Sequence, residues 1–409
     1  MLSSALLSTW GIGVQGLTRL AYTVLIGRFF GTDDLGHASA LMSLSIFAAL
    51  LWPTAAANTV SRFLAVHAGD AAGTAAVERA LRRSLVLSSL VLAVATVPVA
   101  RLLGNGWGLS ASAAALVVAY GAYAYVRGAQ LGRHRATAVA VWDTVASAVA
   151  LGALLIVCAT GRGVLVLLPL AVGYAVFAVA GRARGPRLDG GGPSSHLMRF
   201  AAWNVLAGLT TNGLLQIAMI TAQLVDPGRG AGVYAAAFTL ATPASMLGQA
   251  VSQVVVPAFA RRTGTSLRDP GVLRLVLVFG VVSTVAFGVV ALLAPWLLSV
   301  AYPAEAEGAV PLLRFLLLGV LVFTVGLVPS ALLLAAGRSR QVALASVSGF
   351  VVGLAVVPAV AAHAGVQAGS VGFLVGSSIN LVVVLVLASR RSGESGRPTP
   401  EGVAAPPAA

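Results

Sequence analysis

Long stretches with almost no charge follow one another from about residue 4 to residue 388, broken only by short clusters of Gly, Pro and Arg. Roughly 20 consecutive apolar residues are what a helix needs to cross a bilayer. Charged residues make up 9% of the chain and mean hydropathy is +0.94, whereas soluble domains carry roughly 25% charged residues. So little polar surface cannot coat a water-soluble fold of 409 residues. Lipid must be the solvent, and in lipid every backbone N–H and C=O needs a partner inside the protein. A membrane β-barrel would show short alternating segments. The sequence therefore predicts an all-α polytopic membrane protein.

About twelve spanning helices are expected, near residues 4–29, 37–66, 81–103, 110–131, 137–160, 163–181, 200–224, 231–260, 272–300, 310–336, 341–362 and 369–388. The first segment, MLSSALLSTWG, lacks the basic start of a signal peptide and reads as a retained helix. The net charge of +14 would suggest a nucleic-acid partner in a soluble protein. Here all 26 basic residues are arginine, and their placement is a topology signal that implies no nucleic acid. Most loop arginines, among them Arg79, Arg82, Arg83, Arg133, Arg135 and Arg182, fall on one side. The other side holds only Arg101, Arg162 and Arg229. The positive-inside rule makes the first side cytoplasmic, with both termini there. The expected location is the cytoplasmic membrane of a bacterium.

The chain echoes itself. GTDDLGHASALMSL (31–44) aligns with PGRGAGVYAAAFTL (227–240), pairing Gly36 with Gly232, and GRHRATAVA (132–140) aligns with GRSRQVALA (337–345). Two parallel six-helix repeats, related by an axis along the membrane normal, follow from these offsets, an arrangement common among carriers. The expected units are 1–181, a cytoplasmic linker at 182–199, a second unit at 200–388 and a disordered Pro/Gly/Ala-rich tail at 389–409.

Chemistry-bearing motifs are scarce. The sequence has no P-loop, HExxH, CxxC or dinucleotide fingerprint, so no cofactor, metal or ATP chemistry is expected. Cys158 sits in an apolar run, and the five histidines map to loops or helix ends. The adjacent carboxylates Asp33 and Asp34 raise the question of catalysis. In the second repeat they lie opposite Arg229 and Gly230, and Asp before a helix can accept from its orphan N–H groups, so they are read as capping residues.

The stretches RFFGTDDLGHASALMSLSIF, ANTVSRFLAVHAG and GRHRATAV, with GAGVYAAAFTLATPASMLGQAVSQVVVPAFARR in the second half, resemble the polysaccharide-exporter branch of the multidrug/oligosaccharidyl-lipid/polysaccharide superfamily. The resemblance spans residues 4–388. It implies two six-helix lobes forming a V around a central cavity. It also implies flipping of a lipid-linked anionic glycan, usually a polyprenyl-diphosphate oligosaccharide, with a glycan polymerase or glycosyltransferases as candidate partners alongside membrane lipids.

Individual residues supply candidate substrate contacts. Arg19 lies mid-way along the first helix, with Gln15 one turn before and Tyr22 three residues after on the same face. A guanidinium at membrane depth is costly and usually faces a cavity or a partner; its fork suits a diphosphate, while backbone carbonyls or Asp143 are the structural alternative. Arg62 follows Asn58 by one turn on the second helix, where snorkelling competes with function. Arg28 is closer to the interface and reads as snorkelling. Asn204, Thr211, Asn212 and Gln216 give the seventh helix polar character, suited to sugar hydroxyls or to interhelical bonding. Gln249 and Gln253 stand at depth on the eighth. Lipid II flippases, a related branch, carry a cavity arginine on helix 8 and two additional helices; both are missing here, which disfavours lipid II as cargo. Asp143 is a coupling-ion site or an arginine's partner; Arg127 and Arg314 are ambiguous. The alternatives are a cation-coupled multidrug antiporter of the same superfamily and a membrane glycosyltransferase or polymerase. Replacing Asp33 and Asp34 together with asparagine should leave transport intact in a cellular export assay; lost activity would revive the enzyme alternative.

Overall fold

The computed structural model describes residues 2–67, 69–182, 195–243, 267, 269–335 and 338–390. These residues are helical almost throughout and contain no strand. The first half consists of α1 (Leu2–Phe30), α2 (Thr32–Leu51), α3 (Pro53–Val66), α4 (Ala71–Leu102), α5 (Trp107–Gly132), α6 (Ala136–Thr160) and α7 (Leu168–Ala180). The second consists of α8 (Ser195–Gly208), α9 (Leu214–Val225), α10 (229–243), α11 (Pro270–Ala301), α12 (Ala306–Ala335), α13 (Ser339–Ala364) and α14 (Ala368–Ser389). Nine helical stretches among the described residues are long and apolar enough to cross a membrane. The linker core at 183–194 and the tail beyond 390 lie outside the described residues.

Two expected spans are each broken. The span placed at 37–66 is α2 plus α3, divided at Trp52. Pro53 is the first residue of α3; it has no N–H to continue the ladder, and its ring collides with the preceding turn. The span placed at 200–224 starts earlier, at Ser195, and contains a π-helical turn at Leu209–Gly213 between α8 and α9. Gly31, at φ 89°, ends α1 and opens α2 in a backbone conformation that L side chains rarely adopt.

The repeat is visible in the packing. The pairings α4 with α5, α5 with α7 and α6 with α7 recur as α11 with α12, α12 with α14 and α13 with α14. Helices α4 and α11 are both 32 residues long. Each is capped by an aspartate: Asp70 Oδ1 accepts from the N–H of Ala72 and Gly73 at 3.1 and 3.0 Å, and Asp269 Oδ1 from that of Gly271 at 2.9 Å. Asp33 and Asp34 do not cap in this way. Helix α2 already begins at Thr32, its N-cap is Gly31, and no side chain bonds the cap. They sit in the first turn, where their charge still complements the helix dipole.

The outward faces of the long helices are apolar: Leu87, Val91 and Val94 on α4, and Val281, Val285 and Leu292 on α11, are all exposed. Water would disfavour such belts, whereas acyl chains solvate them. This is a multi-pass membrane protein.

The halves meet along α2–α3 against α8–α9 and at one end of the bundle, the arginine-poor end. There Arg28 donates to the carbonyls of Val300 and Ala301 at the C-terminus of α11, a favourable place for a cation. Thr32 donates to the buried Glu305, and Tyr302 donates to Thr23 at 3.1 Å. His37 lies 2.9 Å from Asn105 Oδ1 and 3.1 Å from Gln223 Nε2. At the centre of these contacts the repeat-equivalent Gly36 and Gly232 face each other, as residues near a two-fold axis must. A Cβ on Gly36 would lie 2.8 Å from the Gly232 nitrogen, and one on Gly232 would lie 2.0 Å from the Thr32 carbonyl oxygen.

A leucine at 36 should therefore wedge this end apart. In a Cys158→Ser background, cysteines at Thr32 and Glu305 should be joined by a short thiol cross-linker, and Gly36→Leu should sharply reduce that yield. An unchanged yield would show that the glycine contact does not hold the end shut.

Candidate functional site

A narrow cavity of about 60 Å³ lies between the halves. Helices α1, α2, α5 and α7 of the first half and α9 and α10 of the second form its wall. Binding sites for small organic molecules are larger, roughly 300–1,000 Å³, so a ligand of that size would have to widen this one.

Arg19 is on that wall. Helix α1 packs on α6, which carries its mid-section along the inner side of the first half. The Arg19 Nε and Nη2 groups donate to the Tyr174 hydroxyl at 3.3 and 3.1 Å, and the guanidinium stands 5.5 Å from the centroid of the Tyr120 ring. Tyr120 and Tyr174 meet edge to face at 5.3 Å, and Tyr123 packs on Tyr174 at 4.7 Å with the rings tilted by 34°. A charged group at membrane depth costs about 2.5–3.5 kcal/mol on insertion scales. A cation–π contact of about 0.5–2 kcal/mol plus bonds to a neutral hydroxyl roughly offset that cost and leave the charge itself uncancelled. The rest of the five-donor fork meets no carboxylate among the described residues.

The reason is Asp143. Its carboxylate is fully buried and already engaged: Arg127 Nε donates to it at 3.2 Å, the Tyr123 hydroxyl at 2.8 Å and Gln15 Nε2 at 3.4 Å. It forms an ion pair behind the tyrosine layer and is not on the cavity wall. Arg127, ambiguous from sequence, is thereby fixed as its partner.

The other expected contacts separate. Gln15 turns to Asp143. Tyr22 is fully buried away from the cavity, donating to the Val166 carbonyl and accepting from the Leu170 N–H at 3.2 Å. Arg62 and Asn58 are exposed, and Arg62 lies over the Phe200 ring of α8 at 4.6 Å, a contact between the halves and off the cavity wall. Asn212, in the π turn, donates to Thr211 at 3.2 Å; Asn204 and Thr211 bond back to their own helix. Arg314 is exposed and bonds the Ala291 carbonyl. Gln216 is on the cavity wall and buried, with its Oε1 unpartnered. Gln249 and Gln253 lie outside the described residues.

Sequence reasoning missed the tyrosine layer. Its signal was present in YGAYAYVR, where Tyr120, Tyr123 and Arg127 fall at helical spacing on one face. Among the described residues no group of His, Cys, Asp and Glu could hold a metal ion.

No family model and no curated protein matches this chain. Solved structures do. One is an inward-facing conformation of a multidrug resistance MATE family transporter of the MOP superfamily, with TM-score 0.70 at 16% identity over 91% of this chain and 93% of that one. An outward-facing conformation of such a transporter gives 0.61 at 14% identity, over 94% and 93%. MATE in complex with MaL6 gives 0.62 at 15% identity, over 94% of both chains. The chain is therefore similar to MATE transporters in fold: two six-helix halves around a central cavity.

Removing one member of a buried ion pair strands the other, at a cost of about 3–5 kcal/mol. Asp143→Leu should lower the thermal midpoint of the detergent-solubilised protein markedly, and adding Arg127→Met should recover much of it. A double variant no more stable than the single one would show that the pair does not act as a unit.

Proposed function

We propose that this protein is an alternating-access carrier that exports an anionic, lipid-linked glycan. The observation that carries the reading is Arg19: a guanidinium on the cavity wall, held by tyrosines and unmatched by any carboxylate among the described residues. Such a wall attracts a diphosphate and repels organic cations. With the arginine-rich loops taken as cytoplasmic, the sealed arginine-poor end is the outer one, and cargo enters from the inner side. The diphosphate head group rests on Arg19 while the polyprenyl tail stays in the bilayer between the halves. Parting of the contacts around Gly36 and Gly232 then releases it outward. Glycosyltransferases would supply the cargo and a glycan polymerase would consume it.

A second reading has a specific support: the similar solved structures are described as multidrug transporters. A cation-coupled antiporter of that kind needs a titratable acid within reach of the cargo. Asp143 is the candidate, but its carboxylate already faces Arg127, Tyr123 and Gln15. The charge on the wall favours the anionic cargo.

Losing a bidentate, charge-assisted contact should cost roughly tenfold or more in transport. Arg19→Ala, expressed at the wild-type level, should abolish export of surface glycan, with Arg19→Lys retaining part of it. Export that survives Arg19→Ala, or efflux of a cationic dye that survives it, would turn the conclusion to the antiporter.

A further inference from the structure

Most hydroxyls around the cavity are returned to their own helices. Thr23 donates to the Arg19 carbonyl at 2.9 Å, Ser45 to that of Leu41 at 2.8 Å and Thr239 to that of Ala235 at 2.8 Å. Serine and threonine side chains in membrane helices do this readily, and so satisfy themselves. Two groups on the same wall behave differently. Ser39 Oγ, on α2, and Gln216 Oε1, on α9, are buried without a hydrogen-bond partner, their residues 3% and 6% exposed. They come from different halves, whose helices α2 and α9 pack together. A buried polar atom without a partner is costly; of the eleven such atoms among the described residues, these two belong to residues lining the cavity. Beside the cavity, unlike at the other nine, a ligand can complete them.

Their chemistry says which ligand. An amide oxygen is an acceptor and a serine hydroxyl is both donor and acceptor. A phosphate at neutral pH offers few donors, so a bare anion held by Arg19 would leave Gln216 unsatisfied. A hydroxyl satisfies both groups. An amide turned the other way presents N–H groups instead, which a hydroxyl oxygen accepts equally well.

We infer that Ser39 and Gln216 form a hydroxyl-recognising subsite, so that the cavity selects anions carrying sugar hydroxyls beside the charge. Arg19 holds the charge and the serine–amide pair discriminates what is attached to it. The inference rests on the anionic-cargo reading above and deepens it by naming the residues that set specificity. A site built to hydrogen-bond a hydroxyl rejects analogues lacking it, because its own polar groups are then left unpaired.

The test uses the full-length protein in detergent and two probes, farnesyl diphosphate and the same lipid diphosphate bearing one N-acetylglucosamine, with binding measured by calorimetry. Wild type should bind the sugar-bearing probe about tenfold more tightly, the order expected of one or two hydrogen bonds. Ser39→Ala and Gln216→Leu should each erode that preference and leave binding of the bare diphosphate within about twofold, which also certifies their folding. Arg19→Gln should weaken both probes together. Equal binding of the two probes by wild type, or a preference that persists in the Ser39→Ala/Gln216→Leu double variant, overturns the subsite and leaves the anionic reading standing. Failure of wild type to bind either probe overturns both.

Discussion

An arginine at mid-helix depth with no carboxylate partner among the described residues is the constraint around which this molecule is arranged. Hydrocarbon tolerates a guanidinium only where other groups take over the work of water. Tyr174 accepts two of its hydrogen bonds and Tyr120 presents an aromatic face. Both are neutral, so the charge of Arg19 remains available to whatever enters the cavity. That outcome depends on a second arrangement one layer back. Asp143 would neutralise Arg19 if it could reach it, but Arg127, Tyr123 and Gln15 hold it behind the tyrosines. The buried ion pair therefore keeps that carboxylate off the cavity wall. Its own contribution to stability is secondary, since desolvation consumes most of the attraction between two buried charges.

The contacts between the halves belong to a different physical regime. At the arginine-poor end they are steric and short-ranged: glycine against backbone, hydroxyl against carboxylate, guanidinium against helix-terminal carbonyls. Contacts of this kind are lost after a displacement of an ångström or two, unlike an extended hydrophobic face, and suit an interface that has to part and re-form. Near the other end the halves still touch where Phe63 meets Phe200 and His196. The two bundles thus share a seam along α2–α3 and α8–α9 while the cavity lies beside it.

How far the sequence was legible differs from residue to residue. The spans were readable because a bilayer imposes length and apolarity on every crossing; Pro53 and the Leu209–Gly213 turn break two of them, the one expected at 81–103 starts ten residues earlier at Ala71, and the one expected at 231–260 lies outside the described residues beyond 243. The duplication was readable in two short echoes; the matching Asp70 and Asp269 caps on α4 and α11 strengthen it. The reading of Asp33 and Asp34 was half right in its physics: they sit at a helix start, but Gly31 already occupies the cap, so they act on the dipole and not as acceptors. The stripe Gln15, Arg19 and Tyr22 was correctly placed on one face of α1. One face nevertheless looked onto three environments, because α6, α7 and the turn before α7 pass it at different heights.

The sequence by itself determined the solvent, the helices, the duplicated plan and the presence of an arginine at depth. These follow from one-dimensional quantities, namely hydropathy, spacing and charge placement. Only the tertiary structure decided which arginine would take Asp143, which of the polar side chains would reach a cavity, and which would be satisfied before any ligand arrived. Those choices depend on distances between helices far apart in the chain. A difference of a few ångströms there separates an ion pair from a free cation, and no pattern within a single helix records it.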